Sequence, residues 1–139
     1  MVRQPDTGEG RVVLSMRLRV AETGAASFLA DTRAALAALS AQPGYLAGRV
    51  GRATDDPQLW LLTCEWESIG AYRRALGAYE VKMHAIPVMY GAIDEPTAFE
   101  VLRAVDPTGV SSGPTRRAAD ADDVGVGLAS GPDVRTDLG

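Results

Sequence analysis

One histidine and a few aromatic side chains with polar atoms are the residues of this sequence best suited to chemistry. His84 is the only histidine, and imidazole is the side chain whose ordinary pKa lies near neutrality, so His84 is the first choice as acid or base. Tyr72 and Tyr79 carry hydroxyl groups two helical turns apart, and Trp66 carries an indole N–H. Such donors can hydrogen-bond an anion, so the residue types fit a site that moves a proton and holds the anion left behind.

Each of these residues also has a structural interpretation. Tyr72 and Tyr79 share a stripe of helical spacing with Leu76, which is typical of core packing. Trp66 is equally suited to anchor a core, and His84 fits a half-buried surface histidine. Both interpretations stay open at the level of the residues.

The first two elements that must position these side chains are a strand and a helix. From Val12 to Val20, apolar residues alternate with a mixed set at the two-residue period of a pleated strand. From Gly24 the period changes, and Phe28, Thr32, Leu36 and Leu39 recur every three or four residues on an alanine-rich background. This spacing predicts an amphipathic helix that ends before Pro43-Gly44.

A hairpin and a broken helix follow. Residues 45–53 and 59–66 read as two strands around the turn 54–57, which contains Asp-Asp-Pro. Ser68 suits the N-cap of a second helix, because its hydroxyl can accept from a free amide. Gly77 and Pro87 then predict a break and a short second piece that carries His84. A last strand is expected to contain Phe99, Val101 and Val105.

The order strand, helix, strand, strand, helix, strand predicts an α+β fold. It is the β-α-β-β-α-β pattern of a ferredoxin-like antiparallel sheet with both helices on one face. Trp60 and Leu62 lie on one face of the third strand, whereas Leu59 and Leu61 lie on the other. Since one helical layer covers only one face, the pattern predicts that a second copy of the chain covers the other face in a homodimer.

Composition sets the domain limits. We expect a flexible N-terminal arm at 1–10, one folded domain at 11–106 and a disordered tail at 107–139, because the tail is rich in Gly, Asp, Ser and Pro and lacks aromatic residues. A net charge of −4 argues against nucleic-acid binding. The absence of an apolar leader or a run of about 20 apolar residues predicts a cytoplasmic protein with no membrane association.

Other polar strand residues are expected to be structural. Cys64 lies mid-strand without a neighbouring His or Cys, so a small buried apolar role is favoured over a nucleophile. Strand arginines could bind an anionic substrate, but pairing with glutamates across the sheet is favoured. The arginines are Arg17, Arg19, Arg49 and Arg52, and the glutamates are Glu65, Glu67 and Glu100.

The run LTCEWES-x-x-AY at residues 62–72, preceded by QPGYLAGRV at 42–50, resembles the antibiotic biosynthesis monooxygenase family over roughly residues 11–105. The resemblance implies a dimeric α+β barrel, a homodimer whose two sheets pack face to face. It also implies a pocket in each subunit between sheet and helices. Some members of this family oxidise phenolic or anthrone-like molecules with dioxygen and no cofactor, the substrate anion supplying the first electron. Others bind haem and open its ring.

The resemblance therefore predicts a cofactor-independent monooxygenase that oxidises a flat aromatic or phenolic small molecule with dioxygen, and no metal site. This chemistry requires an apolar slot, a group that takes a proton and donors for the resulting anion. The residues expected to be catalytic are His84, Tyr72 and Trp66. The residues expected to contact substrate are Trp60, Met16, Tyr79 and Leu76.

Two alternatives remain. A haem-binding or haem-degrading protein would use His84, which stands where the resemblance places the axial histidine. However, Met16 and Ala75 stand where haem-degrading members carry asparagine and tryptophan. The second alternative is a non-enzymatic dimeric barrel with a binding or structural role. An open cavity beneath the helices would favour an enzyme, and a cavity filled by side chains would favour the structural role.

Overall fold

A computed structural model describes residues 10–114 of the chain. The strands are β1 (Val12–Arg19), β2 (Tyr45–Ala53), β3 (Asp56–Trp66), β4 (Ala98–Glu100), β5 (Arg103–Asp106) and β6 (Gly109–Ser112). The helices are a 3-10 turn (Glu22–Gly24), α1 (Ala25–Ser40), α2 (Ile69–Ala75), α3 (Tyr79–His84) and α4 (Ile86–Met89). Residues 1–9 of the predicted arm and residues 115–139 of the predicted tail lie outside the described part.

The main sheet has four antiparallel strands in the order β2-β3-β1-β4. In its centre, β1 pairs with β3 so that Val12 lies opposite Trp66 and Leu18 lies opposite Trp60. The first strands of the two strand-helix-strand units, β1 and β3, are thus neighbours, and β2 and β4 lie at the edges, which is the ferredoxin-like arrangement. The predicted α+β fold is confirmed.

The core lies between this sheet and α1, α2 and α3. Every second residue of β1 and of the second half of β3 is buried, as the pleat requires. These residues are Val12, Leu14, Met16, Leu18, Trp60, Leu62, Cys64 and Trp66. From the helices, Ala35, Leu39 and Val81 pack against them. A fully buried leucine or valine contributes about 1.5–3 kcal/mol relative to an exposed one, so this layer supplies much of the driving force for folding.

Local signals end and begin the helices at the expected places. After α1, Gly44 adopts a φ of 91°, a conformation that favours glycine, and a Cβ there would lie 2.5 Å from the Cβ of Ala71. The Ser68 hydroxyl accepts from the Ala71 amide at 3.0 Å and caps α2. The predicted break is present, because α2 ends at Ala75 and Pro87 lies in the first turn of α4.

The end of the domain differs from the single last strand that the sequence predicts. Phe99 lies on β4, but Val105 lies on β5, which pairs with β6 in a separate two-stranded sheet. The turn between them is closed by Asp106, whose Oδ1 accepts from the amides of Thr108 and Gly109. Residues 107–112, expected to belong to the tail, are therefore part of a hairpin. The Asp-Pro-Thr-Gly run is a turn signal that the tail-like composition concealed.

The other face of the sheet carries no helix among the described residues. Leu61 and Phe99 lie there with 39% and 49% of their surfaces exposed. They are accompanied by polar side chains such as Arg17, whose guanidinium binds both carboxylate oxygens of Glu95 at 2.8 and 2.9 Å. The longest helix described, α1, has 16 residues, and no helix in this part of the chain combines the length and apolarity needed to cross a bilayer.

Candidate functional site

A cleft of about 390 Å³ opens between α1, the corner of α3 and α4, and the end of β1. Its apolar lining comes from Leu18, Val20, Phe28, Met83, Pro87 and Val88. Its polar groups come from Arg19, Asp31 and His84. A volume in this range, with apolar walls and a few polar groups, is typical of sites for small organic molecules. The cleft is the candidate functional site.

His84 is held at the wall of this cleft by the last turn of α3. Its imidazole is about half exposed, and Nε2 lies 3.3 Å from Oε1 of Glu80, one helical turn earlier. The carboxylate of Asp31 reaches the same cleft from α1. The imidazole thus has a carboxylate of its own helix within ion-pair distance.

Arg19, at the end of β1, is among the residues that line the cleft. Its Nη1 donates to Oδ2 of Asp56 at 2.8 Å, and this hydrogen bond holds the pKa of Asp56 below its usual range. Arg17, two positions earlier on β1, pairs with Glu95 at 2.8 Å. The predicted pairing of these two arginines is present, but their partners are not the glutamates that the sequence indicated.

Trp66 and Tyr72 form an aromatic cluster at the opposite end of the sheet. Trp66 is fully buried, and its ring centroid lies 5.4 Å from that of Tyr45 and 5.9 Å from that of Tyr72. Its indole Nε1 donates to the Cys64 sulfur at 3.2 Å. Because the indole donor already has a partner inside the core, hydrogen bonding of Trp66 to a ligand would require rearrangement.

Burial sets the acid–base properties of this cluster. It raises the pKa of the Tyr72 hydroxyl to about 12, with a smaller contribution from Cys64. Burial also raises the pKa of the Cys64 thiol. Both groups are thus neutral at physiological pH, and Cys64 is a poor nucleophile, as the sequence indicated.

Trp60 differs from Trp66 in its hydrogen bonding. It is 7% exposed, and its Nε1 is buried with no hydrogen-bond partner among the described residues. The ring of Phe28 packs edge-on against it at 5.2 Å, and the guanidinium of Arg52 lies 5.0 Å above its ring. A buried donor without an acceptor lowers the stability of the folded state by about 1–3 kcal/mol, so the unpaired N–H of Trp60 requires an explanation.

The structure does not bring the predicted site residues together in one cavity. Trp66 pairs with Val12, whereas His84 shares its cleft with Leu18. Those two β1 residues are six positions apart, or about 20 Å at about 3.3 Å per residue. Of the predicted substrate contacts, Met16 is buried in the core, Leu76 packs against it, and Tyr79 is 70% exposed.

Comparison with known proteins places this geometry in a family. The family model described as antibiotic biosynthesis monooxygenase matches residues 11–84, more than half of the chain. The chain belongs to the antibiotic biosynthesis monooxygenase family. The match runs from the start of β1 to His84 at the end of α3. It thus contains the first three strands of the sheet and both walls of the cleft that α1 and α3 provide.

Solved structures share the fold of this family member. SnoaB, a cofactor-independent oxygenase from Streptomyces nogalater, is 23% identical with a TM-score of 0.59, and the match covers 70% of this chain and 98% of SnoaB. A candidate antibiotic biosynthesis monooxygenase from Caulobacter crescentus CB15 is 19% identical with a TM-score of 0.57, over 71% of this chain and 93% of that one. The comparison with curated proteins gives no match. At these identities, the likeness establishes the shared fold.

The residues around His84 do not fit a haem, the alternative that the resemblance implied. Its Nε2, a nitrogen that would bind iron, faces Glu80 at 3.3 Å. Met16 and Ala75, which stand where haem-degrading members carry polar or bulky groups, are both buried in the core and are absent from the cleft lining. Among the described residues, no three His, Cys, Asp or Glu side chains cluster as metal ligands.

Sequence reasoning missed two residues of the cleft. Phe28 was assigned to the core stripe of α1, and Asp31 was not singled out. They lie three positions apart, which places them on one face of α1, and both line the cleft. An aromatic residue followed one turn later by a carboxylate is the signal that could have found them.

The raised pKa of Tyr72 predicts how alkaline pH destabilises this family member. In the unfolded chain a tyrosine ionises near pH 10, whereas in the folded chain Tyr72 keeps its proton up to a pH of about 12. Between these values the unfolded state loses the proton first, so the free energy of unfolding falls as pH rises; below them Tyr72 contributes no pH dependence. Urea midpoints measured from about pH 9 to 11 should fall less steeply in Tyr72→Phe than in the wild type.

The matched control for this titration is Tyr79→Phe, because Tyr79 is 70% exposed. Its midpoints should follow the wild-type curve. Equal slopes for Tyr72→Phe and the wild type would show that Tyr72 is not held neutral by burial.

Proposed function

We propose that the protein is a cofactor-independent monooxygenase that oxidises a flat phenolic aromatic molecule with dioxygen in the cleft next to His84. Family membership and the fold shared with SnoaB support oxygenase chemistry. The observation that carries the proposal is the position of His84: the single histidine of the chain lines a cleft whose other walls are mainly apolar.

The first step is removal of a proton from the substrate by His84. A phenol has a pKa of about 10 and an imidazole about 6.5, so the transfer is uphill by about 5 kcal/mol in water. The carboxylate of Glu80, 3.3 Å from Nε2, lies next to the imidazolium that forms.

The second step uses electrons from the substrate itself. The anion transfers one electron to dioxygen, and recombination of the radical pair forms a carbon–oxygen bond and a peroxide. The imidazolium of His84 returns its proton to the peroxide, which loses water and leaves a carbonyl group. For an anthrone, the oxidised methylene group and one dioxygen give one ketone and one water. No external reductant is consumed.

Oxygen uptake with 1,8-dihydroxyanthrone tests this function. The full chain, purified and dialysed against a chelator, should consume one dioxygen per anthrone and form the anthraquinone, with one atom from ¹⁸O₂ in the new carbonyl group. Spontaneous oxidation is subtracted with heat-denatured protein. A rate equal to that background for anthrones, naphthols and dihydroquinones would overturn the proposal.

One observation favours the non-enzymatic alternative. The space directly beneath α1 and α2 is filled by side chains such as Leu14, Leu39 and Leu62, each fully buried. The open cleft lies at the edge of this layer. Binding of the anthrone without oxygen uptake would favour a binding protein.

We propose further that the helix-free face of the sheet joins two copies of the chain. Leu61 and Phe99 are large apolar residues exposed on that face, and a second sheet would cover them. Sedimentation velocity of the full chain should give a dimer, and Leu61→Arg should shift it towards monomer because a charge would be buried at the contact. A wild-type monomer at all concentrations would contradict this assembly.

A further inference from the structure

The indole N–H of Trp60 is a donor buried without an acceptor in the described part of the chain. Trp60 is more than nine-tenths buried, and its Nε1 has no acceptor among the described residues. The other tryptophan, Trp66, does satisfy its N–H, with the Cys64 sulfur. An unsatisfied donor in a native core calls for an explanation, and a bound ligand that supplies the acceptor is one.

Phe28 lies between Trp60 and the cleft and contacts both. Its ring packs on the Trp60 ring at 5.2 Å and also lines the cleft. Leu18, the register partner of Trp60 on β1, lines the cleft as well. Phe28 is only partly buried and lies in the first turn of α1, so a change of its rotamer would bring the cleft to Trp60 without moving the sheet.

Arg52 makes this donor suited to an anion. Its guanidinium lies 5.0 Å above the Trp60 ring, and no ion pair joins it to a carboxylate within the described part of the chain. A cation above an indole ring draws electron density from the ring, which strengthens its N–H as a donor, and it adds a positive potential nearby.

We propose that a phenolic substrate displaces Phe28 on binding and that the Trp60 N–H then donates to its phenolic or phenolate oxygen. This inference rests on the proposed function, because it concerns the same cleft and the same substrate class. It assigns the two sides of the reaction to separate groups: His84 takes the proton, and Trp60 holds the oxygen on which negative charge develops. It also explains why a buried donor without an acceptor is retained.

The test compares 2-naphthol with naphthalene, which has the same ring system without the hydroxyl. Both are titrated into the full ¹⁵N-labelled chain while the two indole N–H signals and the His84 imidazole signals are followed by NMR. The expected result is a downfield shift of the Trp60 signal with 2-naphthol alone. The Trp66 signal, already bonded to Cys64, serves as the internal control. Both ligands should shift the His84 signals.

Two variants extend the test. Trp60→Phe should weaken 2-naphthol binding by about 10-fold and leave naphthalene binding nearly unchanged, because only the hydroxyl loses its donor. Arg52→Gln, at an exposed position, should weaken 2-naphthol binding by about 3-fold. If Trp60→Phe does not fold, the NMR titration of the wild-type chain still tests the proposal.

The outcomes separate this inference from the proposed function. If both ligands shift the NMR signals of His84 but not that of the Trp60 indole, the inference is overturned. The proposed function is then still tested by oxygen uptake. If the chemical shift of the Trp60 indole changes with protein concentration and not with 2-naphthol, the acceptor belongs to a second copy of the chain. That result also overturns the inference. If neither ligand shifts His84, the cleft does not bind aromatic molecules, and both proposals fail.

Discussion

Replacing His84 with alanine is expected to lower kcat/KM for 1,8-dihydroxyanthrone by about 10²- to 10⁴-fold, the usual contribution of a positioned general base. Its imidazole lines the cleft and can accept a proton through a ring nitrogen. The measurement is oxygen uptake under pseudo-first-order conditions across the neutral pH range. The wild type should turn over the substrate throughout this range, and His84→Ala should remain about 10²- to 10⁴-fold slower at each pH.

Two controls make the His84 result specific. His84 is about half exposed and its contact with Glu80 is an exposed i,i+4 pair, so the free energy of unfolding should change by less than about 0.5 kcal/mol. Lys82→Ala, on the same helix and exposed, should keep the full rate. A wild-type rate in His84→Ala would show that the proton leaves by another route, and the proposed role of His84 would be lost.

The sequence predicts well those features of the fold that depend on residues close together in the chain, such as strand alternation and helix ends. The two-residue alternation of Val12 to Val20 is matched by the burial pattern of β1. Pro43-Gly44 ends α1 because glycine is favoured at the positive φ of Gly44. Ser68 caps α2 through the expected hydroxyl contact. In each case the structure depends on residues within a few positions of one another.

The relation between distant elements is where prediction from the sequence failed. The helical spacing predicts Tyr79 on the stripe of Tyr72, but α2 ends at Ala75, the extended Ala78 interrupts the helix, and Tyr79 is exposed. His84 and Trp66 were assigned to one pocket, yet they lie at opposite ends of the sheet. Once a helix is interrupted, the spacing of residues before the break no longer predicts which face the residues after it occupy. Residue types by themselves also do not tell how far apart two side chains lie in the folded chain.

Trp66→Ala is expected to lower the free energy of unfolding by about 3–5 kcal/mol, a large fraction of the stability of a domain of this size. Trp66 is the largest fully buried side chain, and its loss removes ring contacts with Tyr45 and Tyr72 together with the hydrogen bond to Cys64. The measurement is urea unfolding followed by far-UV circular dichroism.

The matched control for the Trp66 result is Tyr79→Ala, which removes an aromatic ring that is 70% exposed and should change the free energy of unfolding by less than about 0.5 kcal/mol. The comparison also decides between the two interpretations of Trp66 that its sequence position allowed. A core anchor is required for stability with or without ligand, whereas a residue that lines a ligand pocket can be truncated at little cost to the free protein. A loss below about 1 kcal/mol would therefore contradict the core assignment and return Trp66 to the candidate site.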